Sequence, residues 1–453
     1  MIVRDEERML PGCLASVRGA VDEIVVVDTG SRDGTRAIAQ AAGARIYEFP
    51  WCDDFAAARN EALRHTRAPW VLVLDADERL APGSSRALRA AVSRARFDCG
   101  MLRLHDATRV DAAAADVLSG RERQAEIQLV PRLLRRTDGL AYVDVIHENV
   151  MPWLRRRGNR VGGVNVDIVH LGGSLEVVVA KDKLRRNIDL LRERIARSPG
   201  DLSAYGYLAH DCLRAQEPDE AYRIAERGWQ ELLTTPEITT SIHRLATARA
   251  YVLIGRRQYA DARETVRRAR AVEGDNPDFA FFEAYSFESE AMEPGGELRR
   301  GEKLAAAREG YRRCLGFGVT IFAQAFVLGA RGCYGMTRLG TVELVLGHPS
   351  MAQGHFEAAL ALCPTDRAAL LGKAEAILQG GDPVTALVEL EPLLDRAPDA
   401  WVLASSAAHA LGRRADAKLF ADRARALTGG GFIAPHRGER LRLVSAALAP
   451  RVA

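Results

Sequence analysis

Gly347, Ala352, Phe356, Leu360 and Pro364 recur as Gly381, Ala386, Leu390, Leu394 and Pro398, each displaced by 34 residues. A period of that length is one helix-turn-helix unit, and such a unit buries its apolar face only against a neighbour. The C-terminal part of the chain is therefore expected to be a stack of helix pairs. Weaker copies run from Tyr205 to Ala225, with Leu208 and Ala221, and from Leu245 to Pro277, with Gly255, Tyr259 and Ala262. The segment from Phe279 to Gly340 has helical spacing but falls off the period. Small Ala and Gly residues let the paired helices approach.

The periodicity does not reach the N-terminus. Up to about residue 175, short Val, Ile and Leu runs alternate with helical stretches, the pattern of an α/β domain with a Rossmann-like, mostly parallel sheet. From about Lys181 the composition turns to Ala, Leu and Arg at helical spacing. The expected order is an α/β domain over 1–178, degenerate tetratricopeptide-like repeats over 179–345, tetratricopeptide repeats over 346–430 and a tail over 431–453. With 453 residues, 47% of them hydrophobic, the chain can fill two or three cores. Lys and Arg total 63 against 60 Asp and Glu, which gives no case for a nucleic-acid surface. Seven cysteines (Cys13, Cys52, Cys99, Cys212, Cys314, Cys333, Cys363) form no Cys-x-x-Cys pair, against both a disulfide framework and a zinc site. No apolar run reaches the ~18 residues of a transmembrane helix, and the acidic start is unlike a signal peptide, so the expected location is cytoplasmic.

Chemistry is concentrated where the apolar run Trp70-Val71-Leu72-Val73-Leu74 stops at Asp75-Ala76-Asp77-Glu78. Residues i and i+2 of a strand share a face, so Asp75 and Asp77 are expected to converge. Two such carboxylates repel unless a proton or cation lies between them. Mg²⁺ or Mn²⁺ suits oxygen ligation and binds commonly through one or two carboxylates plus substrate phosphates. The plainer alternative is that Asp75 caps a turn and Asp77 is solvated. The strand Glu23-Ile24-Val25-Val26-Val27 ends in the same way at Asp28, ahead of a helix opened by Thr29-Gly30-Ser31-Arg32-Asp33-Gly34-Thr35. Ligands of open α/β sheets collect at carboxyl ends of strands, so Asp28, Asp75 and Asp77 are expected to line one crevice.

An ordered set of segments carries a family resemblance over residues 1 to about 215. It comprises Ile2-Val3-Arg4-Asp5-Glu6-Glu7 with Cys13-Leu14, Val21 to Ser31 with Asp33-Gly34-Thr35, Phe49-Pro50-Trp51, and Asp53-Asp54-Phe55. It continues with Ala58-Arg59-Asn60-Glu61-Ala62-Leu63, Leu74 to Glu78, and Ile146-His147-Glu148. In these the chain resembles the family 2 glycosyltransferases of GT-A fold, in the subgroup joined to tetratricopeptide repeats that includes sublancin-type peptide S-glycosyltransferases. The resemblance implies transfer of a sugar from a nucleotide-diphosphate donor to a peptide, metabolite or glycan acceptor, with inversion and with Mg²⁺ or Mn²⁺. It implies that Asp28 contacts the base or ribose, that Arg59 and Asn60 border the donor pocket, and that Asp77 holds the metal with Asp75 nearby. Structural alternatives are a helix cap for Asp28, a solvated Arg59 and a turn-facing Asn60 amide.

Inverting transfer needs a general base, and Glu148, after a strand-like Tyr142-to-Ile146 stretch, is the residue so assigned. Its alternative is a salt bridge to Arg135-Arg136. His170, in Ile168-Val169-His170-Leu171-Gly172, matches a late family segment that implies a third metal ligand. Two departures stand out. The chain begins at Met1 inside the expected first strand, which suggests a start further upstream, and His105 to Ala125 is an insert where the acceptor is normally bordered. The expected protein is thus a metal-dependent inverting transferase whose helical repeats position the acceptor or form a homodimer. The alternative is a non-catalytic adaptor, which would have no need to keep Asp28, Asp75, Asp77 and Glu148 unpaired.

Overall fold

In the computed structural model of the protein the valine run before Asp28 is buried along its whole length, as a strand covered on both faces must be. This strand, β2 (Val25–Asp28), lies between β1 (Ile2–Val3) and β3 (Arg45–Glu48) in a parallel three-stranded sheet. A second sheet has the order β4-β7-β6-β8-β5, built from β4 (Trp70–Leu72), β5 (Glu78–Leu80), β6 (Cys99–Asp106), β7 (Gln128–Arg135) and β8 (Val161–His170). Only β6 and β8 run parallel in it; β4 with β7, β6 with β7, and β5 with β8 are antiparallel. The α/β domain forms as expected, but its parallel character is confined to the first sheet and one pair of the second. The chain between β6 and β7, which carries the short helix Ala114–Ser119, returns to the same edge of β6 and so pairs the two strands antiparallel.

Among the described residues, helices α1 (Leu10–Ser16), α2 (Thr35–Ala41), α3 (Phe55–His65), α4 (Ser84–Ser93), α5 (Ala114–Ser119), α6 (Met151–Leu154) and α7 (Lys183–Arg197) accompany the sheets. One core cluster packs Leu80, Leu88, Leu102, Leu133 and Ile168 between α4 and the second sheet. Another joins Leu10, Val26 and Val169 to Ala107 and Val117, so the insert folds onto the domain instead of standing off as a loop. Both β1 and β4 are sheet edges, and a cavity of about 290 Å³ lined by Ile2, Val25, Trp70, Leu72, Leu133 and Arg59 opens beside them.

The described residues are 1–124, 127–155, 158, 160–172, 183–234, 241–293, 299–317, 331–395 and 397–428; the expected tail over 431–453 lies outside them. They divide into two units, Met1–Ala204 and Tyr205–Ala453. The first unit therefore ends well after residue 178, because α7 belongs to it: Arg194 donates to the Ile146 carbonyl at 3.0 Å and pairs with Asp144 and Asp201 at 3.0 and 2.7 Å.

Helices are the only regular secondary structure among the described residues of the second unit, with antiparallel pairs such as His243–Gly255 with Tyr259–Glu273. The clearest repeat is Cys333–Val345 with Pro349–Leu362, followed 34 residues later by Arg367–Gln379 with Pro383–Leu390. Phe356 is fully buried here, and a Cβ on Gly340 or Gly372 would come within 2.9 or 2.4 Å of its ring. Glycines on the two flanking helices are what admit the ring. No helix among the described residues is long and apolar enough to cross a membrane. All seven cysteines are free thiols.

Candidate active site

Strand β4 ends at Leu72, so Asp75 and Asp77 stand in the turn that leads to β5, and the i, i+2 argument no longer applies to them. Their carboxylates face different partners. Asp75 takes Arg59 Nη2 at 2.9 Å on Oδ1 and Arg132 Nη2 at 3.1 Å on Oδ2. Asp77 lies 3.7 Å from His170 Nε2 through Oδ1 and 3.5 Å from Lys183 Nζ through Oδ2. Two guanidinium groups thus neutralise Asp75, while a histidine and a lysine face Asp77. Among the described residues no group of three or more His, Cys, Asp or Glu side chains stands close enough to hold a metal, so Asp75, Asp77 and His170 are not assembled as one ligand set.

Asp75 is the centre of a string of alternating charge. Asp54 caps α3 by accepting from Ala57 N–H at 2.8 Å, and the helix turns Arg59 inward among Ala56, Ala58 and Ala62. Arg59 Nε donates to Glu148 Oε1 at 2.5 Å while its Nη2 holds Asp75. On the other side Arg132 of β7 bridges Asp75 to Glu78 of β5, and a second Glu78 oxygen accepts from the Asp75 N–H at 3.0 Å. Burial alone would raise the Asp75 carboxyl, but Arg59 and Arg132 outweigh it and hold the group well below the usual carboxylate range. Glu78, 1% exposed, goes the other way: burial raises it despite Arg132. Arg59 Nη1 and Arg132 Nε are buried with no partner, so each cation keeps an unspent donor.

Glu148 pairs with Arg59, neither with Arg135, whose carboxylate is Asp98 at 3.6 Å, nor with Arg136, which donates to the Thr66 carbonyl. The Tyr142-to-Ile146 stretch is not a strand. It is a tight loop in which Val143 bridges Asn149 and in which Asp144 and His147 have φ of 75° and 54°. Left-handed backbone at non-glycine residues is held only by strong surroundings. Asn60 provides some of that hold: its amide donates to the Tyr142 carbonyl at 2.9 Å and accepts from the Tyr142 N–H at 2.8 Å. Its turn-facing alternative is thus what the structure shows, with both ends of the amide occupied.

Asp28 is 3% exposed and accepts from the Ser31 N–H at 3.2 Å and from the Ser31 hydroxyl. It braces the turn after β2 and does not cap α2, whose first residue is preceded by Gly34. That turn is zipped to the N-terminal motif. Asp5 accepts from Arg32 N–H at 2.8 Å, Glu7 from Gly34 N–H at 2.9 Å, and Asp33 from Glu7 N–H at 3.1 Å. Asp28 thus belongs to a different network from Asp75 and Asp77.

His170, at the end of β8, is set by Asp106 of β6. The two residues are register partners, and Asp106 Oδ1 lies 2.6 Å from His170 Nδ1, so that Nε2 faces Asp77. Burial works against the charged ring, but the bonds to Asp106 and Asp77 prevail and raise it to about 10. Burial also opposes the charged form of Asp77, and His170 more than compensates, lowering that carboxyl. Gly172 closes the arrangement from behind: a Cβ there would stand 1.8 Å from Asp77 Oδ2. Arg132, Asp106, Lys183 and Arg194 were not singled out from the sequence. Arg132 offered a signal, a charge beside Leu133 and Leu134 in an apolar strand; Arg194 and Lys183, in an arginine-rich helix, offered none.

Residues 1–116 match the family model described as glycosyl transferase family 2. A TPR repeat-containing protein of Synechococcus elongatus is 60% identical over 80 residues, 18% of this chain and 20% of that protein. The SPbeta prophage-derived glycosyltransferase SunS of Bacillus subtilis is 26% identical over 203 residues, 44% of this chain and 45% of that one. The lipopolysaccharide core biosynthesis glycosyltransferase LpsC of Rhizobium meliloti is 42% identical over 85 residues, 18% of this chain and 31% of that protein. The chain thus spans less than half the length of these curated relatives. Its N-terminal α/β domain is a family 2 glycosyl transferase domain, fused to tetratricopeptide-like helix pairs.

Proposed function

We propose that the chain transfers a sugar from a nucleoside-diphosphate donor to an acceptor, with inversion at the anomeric carbon. The observation that carries this reading is the Asp77–His170–Asp106 arrangement, lodged behind Gly172 in the domain that matches the family model. Asp106 fixes the ring so that one nitrogen is presented beside a carboxylate, the second-sphere pattern that orients a histidine ligand. Asp77 and His170 fit Mg²⁺ or Mn²⁺ as two protein ligands, with other positions left to phosphate oxygens and water. Asp75 does not fit as a ligand, because both its oxygens are engaged by guanidinium groups. When bound, the ion would neutralise charge on the departing diphosphate. Binding there requires His170 Nε2 to give up its proton.

The chain's own groups supply the rest. Arg59 holds Glu148 through Oε1 and leaves Oε2 to take the acceptor's proton as general base. Asn60 and Arg194 fix the loop that carries Glu148. Asp28 would face the base or ribose once Ser31 yields. We assign acceptor recruitment, and any homodimer, to the helical unit. The adaptor reading is favoured by one finding: Asp28, Asp75 and Glu148 are all paired, so an absence of partners does not speak for catalysis.

The test is a thermal-shift screen of the full chain against UDP-, GDP- and dTDP-sugars, with and without Mn²⁺. Donor binding to the folded state must raise the melting temperature. A metal-dependent shift with one nucleotide class, lost in Asp77→Ala, supports the transferase. No shift with any donor leaves the adaptor.

A further inference from the structure

Beyond the carboxylates, the first unit carries cations whose bonds do not account for their placement. Lys183 Nζ lies 3.5 Å from Asp77 Oδ2 and donates to the Gly172 carbonyl at 3.3 Å. An ammonium has three donors, so among the described residues one N–H is left without a partner, and the side chain is still 26% exposed. Arg186, three residues on and therefore on the same face of α7, sets its guanidinium 5.1 Å above the Phe55 ring. Phe55 begins α3 and donates its N–H to the Val145 carbonyl at 2.9 Å, in the loop of Glu148. Burial and the nearby Arg4 depress the Arg186 charge, while Glu148 favours it. Among the described residues neither Arg4 nor Arg186 has a carboxylate within ion-pair distance.

Anchoring α7 to the domain does not explain these contacts, since Arg194 already does so through Asp144, the Ile146 carbonyl and Asp201. A lysine beside the carboxylate that fits a metal, with an arginine one turn along the same helix whose polar bond among the described residues is only to the Asn187 amide oxygen at 3.3 Å, suits a multiply charged anion. We propose that Lys183 and Arg186 of α7 hold the diphosphate of the sugar donor, Lys183 donating to the oxygen on which the leaving group gains its charge. This rests on the transferase reading above. In the step itself the acceptor heteroatom bonds to the anomeric carbon, and the bond from that carbon to the β-phosphate oxygen breaks with its electron pair on the oxygen. The acceptor proton goes to Glu148. Lys183 donates a hydrogen bond and loses no proton. Both residues lie outside the segment 1–116 that matches the family model.

Isothermal titration of the full chain with UDP, GDP and dTDP, and with the matching monophosphates, at fixed Mn²⁺, tests the assignment. For the diphosphate that the wild type binds, Lys183→Ala should weaken affinity about ten- to a hundredfold, the worth of one hydrogen bond to a charged group. Lys183→Arg, which keeps the charge, should stay within about threefold of wild type. Arg186→Ala should weaken the diphosphate in the same direction, and monophosphate binding and the ligand-free melting temperature should hold in every variant. Unchanged diphosphate affinity in Lys183→Ala, with the wild type binding, overturns the assignment alone. Equal loss of mono- and diphosphate with a lowered melting temperature overturns it too, as a structural role. A wild type that binds none of the three diphosphates overturns the transferase reading with it.

Discussion

Replacing Arg59 with Met removes the cation shared by Asp75 and Glu148 while keeping an unbranched stem among Ala56, Ala58 and Ala62. Two charge-assisted bonds are lost, each about 1.5–3 kcal/mol. Against this, the unpartnered Nη1 disappears, relieving about 1–3 kcal/mol of desolvation. Asp75 is 31% exposed and still held by Arg132, so its stranding costs less than the about 3–5 kcal/mol of a fully buried orphan. The net expectation is about 2–3 kcal/mol of local destabilisation, within reach of a domain stability of about 5–15 kcal/mol. Hydrogen exchange by mass spectrometry on the full chain reads it where it arises. Peptides over α3, the Asp75 turn and the Glu148 loop should lose protection about 30- to 150-fold, with the helical unit unchanged. In Arg59→Met/Glu148→Gln the uncharged partner no longer needs the cation, so the two effects should fall short of additivity by about 1 kcal/mol or more. Acidification gives an independent check. Asp75 is held well below its unfolded value of about 3.9, so its contribution is fully present above that pH and is lost progressively as pH falls below it towards the folded value. Arg59→Met should therefore lose less stability than wild type as pH falls below about 4. A loss of protection below about fivefold, or strict additivity with Glu148→Gln, would refute the charge string as a cooperative unit.

Gly172→Ala places a Cβ 1.8 Å from Asp77 Oδ2, so the carboxylate must move by more than an ångström; donor-dependent turnover should fall about a hundredfold with the melting temperature nearly kept, and retention of activity would contradict the backing role. Phe356→Ala empties the space between Gly340 and Gly372 and should destabilise the helical unit by about 3–5 kcal/mol in urea unfolding followed by circular dichroism, whereas a loss under about 1 kcal/mol would mean that the repeats collapse around the gap. Ellman's reagent should modify the exposed Cys52 first on the native chain, while burial raises the Cys13, Cys99 and Cys314 thiols to about 12 and keeps them inert until unfolding. Rapid reaction of Cys13 would show α1 to be open.

The repeat spacing, the change of composition near Lys181 and the strand before Asp28 could all be read in the chain, and the helix pairs and β2 appear where that reading puts them. These are local signals, since each depends on which side chains recur within a turn or along one strand. The boundary of the first unit was not legible. Helix α7 has the composition of the repeats, and only the reach of Arg194 to Ile146, 48 residues back, assigns it to the α/β domain. The stretch from Tyr142 to Ile146 read as strand-like, and the positive φ of Asp144 and of His147 just beyond it breaks that geometry.

For the site, the sequence alone named candidates, Asp28, Asp75, Asp77, Arg59, Asn60, Glu148 and His170, that all lie in the first unit, and all but Asp28 and Asn60 join the charged networks around Asp75 and Asp77. Their pairing was decided only by the tertiary structure. Arg59 meets Glu148 across 89 residues, Arg132 meets Asp75 across 57, and His170 meets Asp106 across 64. Whether a carboxylate is left for a ligand or claimed by a guanidinium depends on those long-range meetings, because the charge that stabilises it comes from whichever strand the sheet order brings alongside. Motif spacing could therefore name Asp75 and Asp77 together, while the order β4-β7-β6-β8-β5 set Arg132 against the first and His170 against the second.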